Sequence, residues 1–153
     1  MKYLPDGSIE CLKAHLVAKR YTQTYGVDYA ETFSPIAKIS SVWILISLAT
    51  NLDKPLFQFD VKNAFLNDNL KEEVYIEQPP WFFAQGEYGK VCRLHKAIYG
   101  LKQSPRTWFG KFSEVALKFG LRRCHSDHSV FSHTSDRGKI LLRVYVDYYN
   151  NWR

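Results

Sequence analysis

The sequence predicts an α+β domain in which a small antiparallel sheet is backed by helices. Three observations carry that prediction. From position 104 to 120, apolar residues recur at helical spacing behind a Ser-Pro start. From 130 to 147, two alternating runs flank the turn Ser135-Asp136-Arg137-Gly138, as in a β-hairpin. Near the middle, residues 56–60 alternate apolar and polar side chains and end on a carboxylate. Of 153 residues, 46% are hydrophobic and 24% charged, which is the balance of a folded domain and not of a disordered chain.

Each element has a local cause. Pro5-Asp6-Gly7-Ser8 is a turn, and residues 9–18 after it have β character, with Lys13, His15, Lys19 and Arg20 making a cationic ribbon. Ser40 or Ser41 caps a helix whose Val42, Leu45, Ile46 and Ala49 form a core-facing stripe until Asn51 and Pro55 end it. In the strand 56–60, Phe57 and Phe59 share one face, and Gln58 and Asp60 share the other. Residues 61–70 turn into a short helix. Val74-Tyr75-Ile76 and Val91-Cys92-Arg93-Leu94 are brief strands around a loop containing Pro-Pro and Gly. Ser104 is the N-cap of the clearest helix, with Pro105 at its first position. Its stripe of Trp108, Phe109, Phe112, Val115, Ala116 and Phe119 is core packing, and Gly120 stops it. In the hairpin, Ile140, Leu142, Val144 and Val146 share one face, opposite Arg143, Tyr145 and Asp147.

Composition narrows the partners. The net charge of +6 and pI of about 9.2 favour a polyanion. Cys11, Cys92 and Cys124 form no CxxC pair, so no disulfide framework is expected and a reducing compartment fits. Cys124, His125, His128 and His133 match no standard zinc spacing and read as a solvated loop before the hairpin. No apolar run approaches a membrane span, and the N-terminus lacks a signal-peptide core. An intracellular protein, cytoplasmic or nuclear, is expected.

The chemistry rests on two strand ends. Asp60 and Asp147, taken singly, are ordinary exposed aspartates; as a pair they suggest two-metal phosphoryl chemistry. Between them lies Tyr99-Gly100-Leu101-Lys102-Gln103-Ser104-Pro105-Arg106. Together with Gly7-Ser8-Ile9-Glu10, Leu16-Val17-Ala18-Lys19, the string from Tyr25-Gly26-Val27-Asp28-Tyr29 to Phe33-Ser34-Pro35, Glu77-Gln78-Pro79-Pro80 and Tyr145-Val146-Asp147, this order resembles the reverse transcriptase domain of copia-type long-terminal-repeat retrotransposons. The resemblance covers nearly the whole chain.

That resemblance implies a polymerase palm with partial fingers, fingers-like at about 1–55 and 66–98 and palm at about 56–65 and 99–148. It implies two Mg2+ or Mn2+ ions, held by Asp60, the carbonyl of Val61 and Asp147, and as partners an RNA or DNA template–primer and deoxynucleoside triphosphates. Phe65 matches the bulky residue that excludes a 2′-hydroxyl; as a residue alone it reads equally as a core phenylalanine. Tyr99, Gly100 and Lys102 match the segment that cups the incoming nucleotide, with Arg106 and Tyr145 toward template and primer, although solvated helix positions remain the alternative for Lys102 and Arg106. Lys13 matches the lysine of a Lys-x-Arg pair whose arginine is here His15, without the bidentate fork.

The copy departs from the family pattern elsewhere. Tyr148 stands where the Tyr-Val-Asp-Asp turn has its second aspartate. Arg143 replaces an aliphatic residue; Cys11 and Trp43 replace arginines; Arg20, Asp68 and Trp81 replace glycines. Single-base transitions in arginine and glycine codons account for several of these, a hypothesis that the nucleotide sequence tests. The tail 149–153 fits no strand of the pattern, and the thumb and RNase H domains are expected to be absent. The expected reading is a truncated polymerase fragment that no longer polymerises. The alternatives are an active polymerase completed by another polypeptide and a non-catalytic basic nucleic-acid-binding module.

Overall fold

The computed structural model describes residues 2–11, 16–32, 38–79, 86, 89–136 and 138–146. Strands β1 (Lys2–Tyr3) and β2 (Ile9–Cys11) pair antiparallel. The turn between them is closed by the Asp6 carboxylate, which accepts from the Ser8 amide at 2.9 Å and the Ser8 hydroxyl at 2.6 Å. Helix α1 (Ile39–Asn51) follows, then a 3₁₀ turn at Ala64–Asn67. Strand β3 (Asn69–Glu77) pairs antiparallel with β4 (Val91–Lys96), with an irregularity between Asn69 and Val74. Helix α2 (Ser104–Lys118) leads into a three-stranded antiparallel sheet of β5 (Arg122–Arg123), β6 (Val130–Ser135) and β7 (Gly138–Arg143). The architecture is mixed α/β with antiparallel sheets, as its sequence predicts.

The core forms where α2 lies on the β5–β6–β7 sheet. Phe109 and Ala116 from α2, Phe131 from β6 and Val144 just after β7 are buried together, with Trp108, Phe112, Leu121 and Leu142 packed around them. Phe131 is fully buried, its ring 6.3 Å from Phe109 and 5.7 Å from Phe112. A second cluster joins Val74 of β3 to Ile98 and Leu101 in the approach to α2.

Several expectations are corrected. Ser104 lies inside α2, and Gln103 takes the cap position; the Ser104 hydroxyl donates instead to the Ile98 carbonyl at 2.8 Å. On the α2 stripe, Val115 and Phe119 are exposed, because the facing sheet covers only the Phe109–Ala116 side. Ile140 on β7 is exposed as well. The short helix expected over 61–70 is a single 3₁₀ turn, and β3 starts at Asn69. Residues 9–18 are strand only as far as Cys11 among the described residues.

Two corrections concern packing. Helix α1 is not core-facing: it buries no residue, and Trp43 is 63% exposed. Its N-cap is Lys38, not Ser40 or Ser41. The Ser41 hydroxyl donates to Asp127 at 2.5 Å, so it is spent across the fold and not on its own helix end. Residues 54–60 adopt no strand, and Phe57 and Phe59 stand 70% and 80% exposed, stacked on one another at 6.4 Å. A strand requires a neighbour to pair with, and no described strand supplies one there. Among the described residues no helix is long and apolar enough to cross a membrane.

Candidate active site

Asp60 ends the extended 54–60 segment with its side chain exposed, and it makes no hydrogen bond or ion pair among the described residues. Its oxygens are therefore available. Two residues earlier, the Gln58 amide donates to the Tyr145 hydroxyl at 3.3 Å. This hydrogen bond joins the Asp60 segment to the end of the hairpin, two residues before Asp147. Asp147 and Tyr148 lie outside the described residues, as do Lys13 and His15. Val61 is exposed beside Asp60. Among the described residues no group of three His, Cys, Asp or Glu side chains is placed to hold a metal.

The hairpin end is held by a polar turn. Val144 donates its amide to the Ser129 carbonyl at 2.9 Å, and Val130 donates to the Asp127 carbonyl at 3.0 Å. The Asp127 carboxylate accepts from the Ser129 amide, the Ser129 hydroxyl and the Ser41 hydroxyl. Burial alone would raise the carboxyl, but the Ser129 and Ser41 hydrogen bonds, with the charge of Arg143, outweigh it and hold its pKa at about 2. Arg143 donates to the Lys38 carbonyl at 2.7 Å, while its Nε and Nη1 are buried without a partner. Arg143 thus clasps the start of α1.

Phe65 and Tyr99 meet edge to face with centroids 5.0 Å apart. Asn63 makes this possible by taking a left-handed conformation, φ 54°, at the head of the 3₁₀ turn. Gly100 also has positive φ, and a Cβ there would meet the Ala18 carbonyl oxygen at 2.2 Å. The close approach that Gly100 permits is to this chain's own backbone: the Ala18 amide donates to the Tyr99 carbonyl at 2.8 Å.

Lys102 is held on all sides. Its ammonium donates to the Gln23 carbonyl at 3.1 Å and the Tyr29 hydroxyl at 3.0 Å, and sits 4.5 Å from the Tyr29 ring centroid. Its amide donates to the Gln23 side-chain oxygen at 2.8 Å. Gln103 beside it is fully buried, accepting from the Gln23 amide and donating to the Asp28 carbonyl, both at 3.1 Å. Arg106 pairs with Glu31 at 2.9 Å and approaches Glu72 at 3.7 Å. The structure therefore brings together Phe65 with Tyr99, and Gln58 with Tyr145, while it commits Lys102 and Arg106 to protein partners.

Gln23, Gln103 and Asp127 are the residues that sequence reasoning passed over. Gln23 and Gln103 carry no periodic signal. Asp127 did carry one, the Asp-x-Ser spacing of a side-chain-closed turn, also present at Asp6 and Ser8. Asp68 is buried with Oδ2 unpartnered, and burial pushes its carboxyl above the usual range.

Residues 7–149 match the family described as reverse transcriptase (RNA-dependent DNA polymerase). The chain is 47% identical over 146 residues to a retrovirus-related Pol polyprotein from transposon RE2 of Arabidopsis thaliana, and 44% identical over the same length to that from transposon RE1. It is 43% identical over 149 residues to the corresponding polyprotein from transposon TNT 1-94 of Nicotiana tabacum. Each match covers 95% of this chain but only 10% or 11% of the relative, so the chain spans about a tenth of those polyproteins. No solved structure was found to match it. By the extent of the profile match and the identity to these relatives, the chain belongs to the reverse transcriptase (RNA-dependent DNA polymerase) family, in its copia-type retrotransposon branch.

Proposed function

We propose that the chain is the fingers-and-palm portion of a copia-type RNA-directed DNA polymerase whose two-metal site has lost one carboxylate and with it catalysis. The observation that supports this reading is the Gln58–Tyr145 hydrogen bond, which ties the Asp60 segment to a residue two positions before Asp147 in the sequence. Asp60 suits a metal, since its carboxylate is exposed and uncommitted among the described residues. Asp60, the Val61 carbonyl and Asp147 are the groups that would hold Mg2+ or Mn2+. When bound, the metals supply charge neutralisation at a transferring phosphate and activation of an attacking hydroxyl.

The chain's own residues supply the rest. The Phe65 ring, fixed against Tyr99, presents a rigid edge that would reject a 2′-hydroxyl. Gly100 lets the Tyr99 segment lie on the Ala18 backbone, and the Gln23 and Gln103 amides lock the turn that follows. Lys102 thereby orients this turn and is not a free phosphate donor. Tyr148 offers a phenol in place of a carboxylate, a poor ligand for a hard cation. Template–primer and deoxynucleoside triphosphates are the proposed partners.

Primer extension with Mg2+ or Mn2+ tests the reading. The natural chain should incorporate no nucleotide above background, and Tyr148→Asp should raise incorporation at least about a hundredfold, as expected for restoring a charge-stabilising group. Incorporation by the natural chain at the level of Tyr148→Asp would refute the assignment of Tyr148 as the defect, and so would a Tyr148→Asp variant that folds yet stays silent.

A further inference from the structure

We infer that the tip of the β5–β6–β7 sheet, at the end of the hairpin remote from Tyr145, binds the phosphodiester backbone of nucleic acid. A groove of about 420 Å³ lies there, lined by Gly120, Arg122, Ser132, His133, Thr134 and Lys139. Strand register explains the grouping. Arg122 pairs across from Ser132, and Lys139 from Thr134, and Ser132 and Thr134 are two apart on β6. These four side chains therefore share one face of the sheet, opposite the face on which Phe131 enters the core.

The donors on that face are uncommitted. Some cations elsewhere are paired, Lys118 with Glu114, Arg93 with Glu73 and Arg106 with Glu31, and others, such as Lys54 and Lys71, stand singly among the described residues on exposed positions without flanking hydroxyl donors from a paired strand. Arg123 belongs to the opposite face, where it lies over the Phe109 ring and donates to the His128 carbonyl. By contrast, among the described residues Arg122 and Lys139 have no carboxylate within ion-pair distance, and the Ser132 and Thr134 hydroxyls have no protein partner. The acidic groups nearby in sequence are Asp127, engaged by Ser41 and Ser129, and Asp136 in the turn between β6 and β7. His133 alternates onto the Phe131 side of β6, and its Nδ1 lies 3.1 Å from the Gly120 carbonyl at the groove's edge.

Charge concentrates in the same part of the chain. Residues 118–143 hold six Lys and Arg against two Asp, which is four of the chain's six net positive charges. Two guanidinium- or ammonium-bearing side chains with flanking hydroxyls are donors suited to phosphate oxygens. Apart from the His133 imidazole, held against the Gly120 carbonyl, no aromatic ring lines the groove; with no Phe, Tyr or Trp platform for bases it would read backbone. Lys139 is six residues from Tyr145, about 20 Å of extended chain, so the groove is separate from the Asp60 site.

The choice of a polymerase template–primer as the polyanion rests on the function proposed above. Fluorescence anisotropy with an RNA–DNA hybrid of about 20 base pairs, over about 50 to 200 mM salt, measures the binding. Arg122→Gln with Lys139→Gln should weaken binding at least about tenfold and lower the slope of log affinity against log salt by about 2, roughly one unit for each phosphate that the variant leaves unneutralised. Arg122→Lys with Lys139→Arg should retain it. Lys54→Gln with Lys71→Gln removes the same charge from exposed positions elsewhere and should cost less than about threefold. Equal losses from the two glutamine pairs would overturn the groove in favour of bulk charge. Displacement of the hybrid by inorganic phosphate at about 10 mM and constant ionic strength would make it a free-phosphate site and overturn it too. The groove variants keep Asp60 and Tyr148, so their result is independent of whether Tyr148→Asp polymerises.

Discussion

Helices α1 and α2 both carry apolar sequence, yet they are held by opposite means. In α2, Phe109 and Ala116 are buried against Phe131 and Val144, and the rings around them interlock. In α1 nothing is buried, and Trp43, Ile44 and Leu48 face solvent. What secures α1 is polar: Ser41 to Asp127, Lys38 to the Ser126 carbonyl at 3.1 Å, and Arg143 to the Lys38 carbonyl. The lesson is that apolar content marks which face could pack, while a facing element decides whether it does. Residues 54–60 repeat the lesson, since Phe57 and Phe59 find only each other.

Paired truncations break this contrast most sharply. Phe131→Ala removes a fully buried ring from the α2 side and should cost about 3 to 5 kcal/mol in urea denaturation. Ile44→Ala on exposed α1 should stay within about 0.5 kcal/mol. Similar costs for the two would show α1 packed after all.

The polar clasp gives the next effect. Asp127→Asn should cost about 2 kcal/mol at neutral pH, through loss of the Ser129 and Ser41 bonds and the charge facing Arg143. In the folded chain its pKa is about 2, below the usual 3.8. A depressed carboxyl stabilises above its unfolded pKa, so stability should fall as pH drops from about 4 to 2. The variant should lose that acid limb, and stability curves at several pH values check it.

Asp68 should act with the opposite sign and a smaller size. Its carboxyl is raised because burial disfavours the charge, so it weighs against folding once ionised and is relieved as pH falls below its unfolded value. Asp68→Asn should therefore gain about 1 kcal/mol at pH 7, read from the denaturation midpoint. A loss would mean that the unpartnered Oδ2 is needed where it is.

Much of this fold is legible in the sequence, and the illegible part has a common cause. The α2 stripe, the β6–β7 hairpin, and the β3–β4 pair follow from local periodicity and turn residues, because their partners are adjacent in the chain. The strand at 56–60 and the burial of α1 depend on distant partners, and periodicity cannot supply those. Ser104 misled for a related reason: a hydroxyl beside Pro105 reads as a cap, but the Ile98 carbonyl six residues back captures it. The proposed site residues Asp60, Phe65 and Tyr99 come from motif order. The Gln23–Lys102–Gln103 lock does not, since it joins residues about 80 positions apart through side-chain amides. It gives Lys102 protein partners, Gln23 and Tyr29, where a solvated or ligand-facing side chain is the expectation.

Mn2+ binding followed by electron paramagnetic resonance tests the central claim, a two-metal site short of one carboxylate, most directly. The account predicts weak binding by the natural chain, tighter binding of a further ion by Tyr148→Asp, and loss of that gain when Asp60→Asn is added. Two ions bound as tightly by the natural chain as by Tyr148→Asp would contradict it.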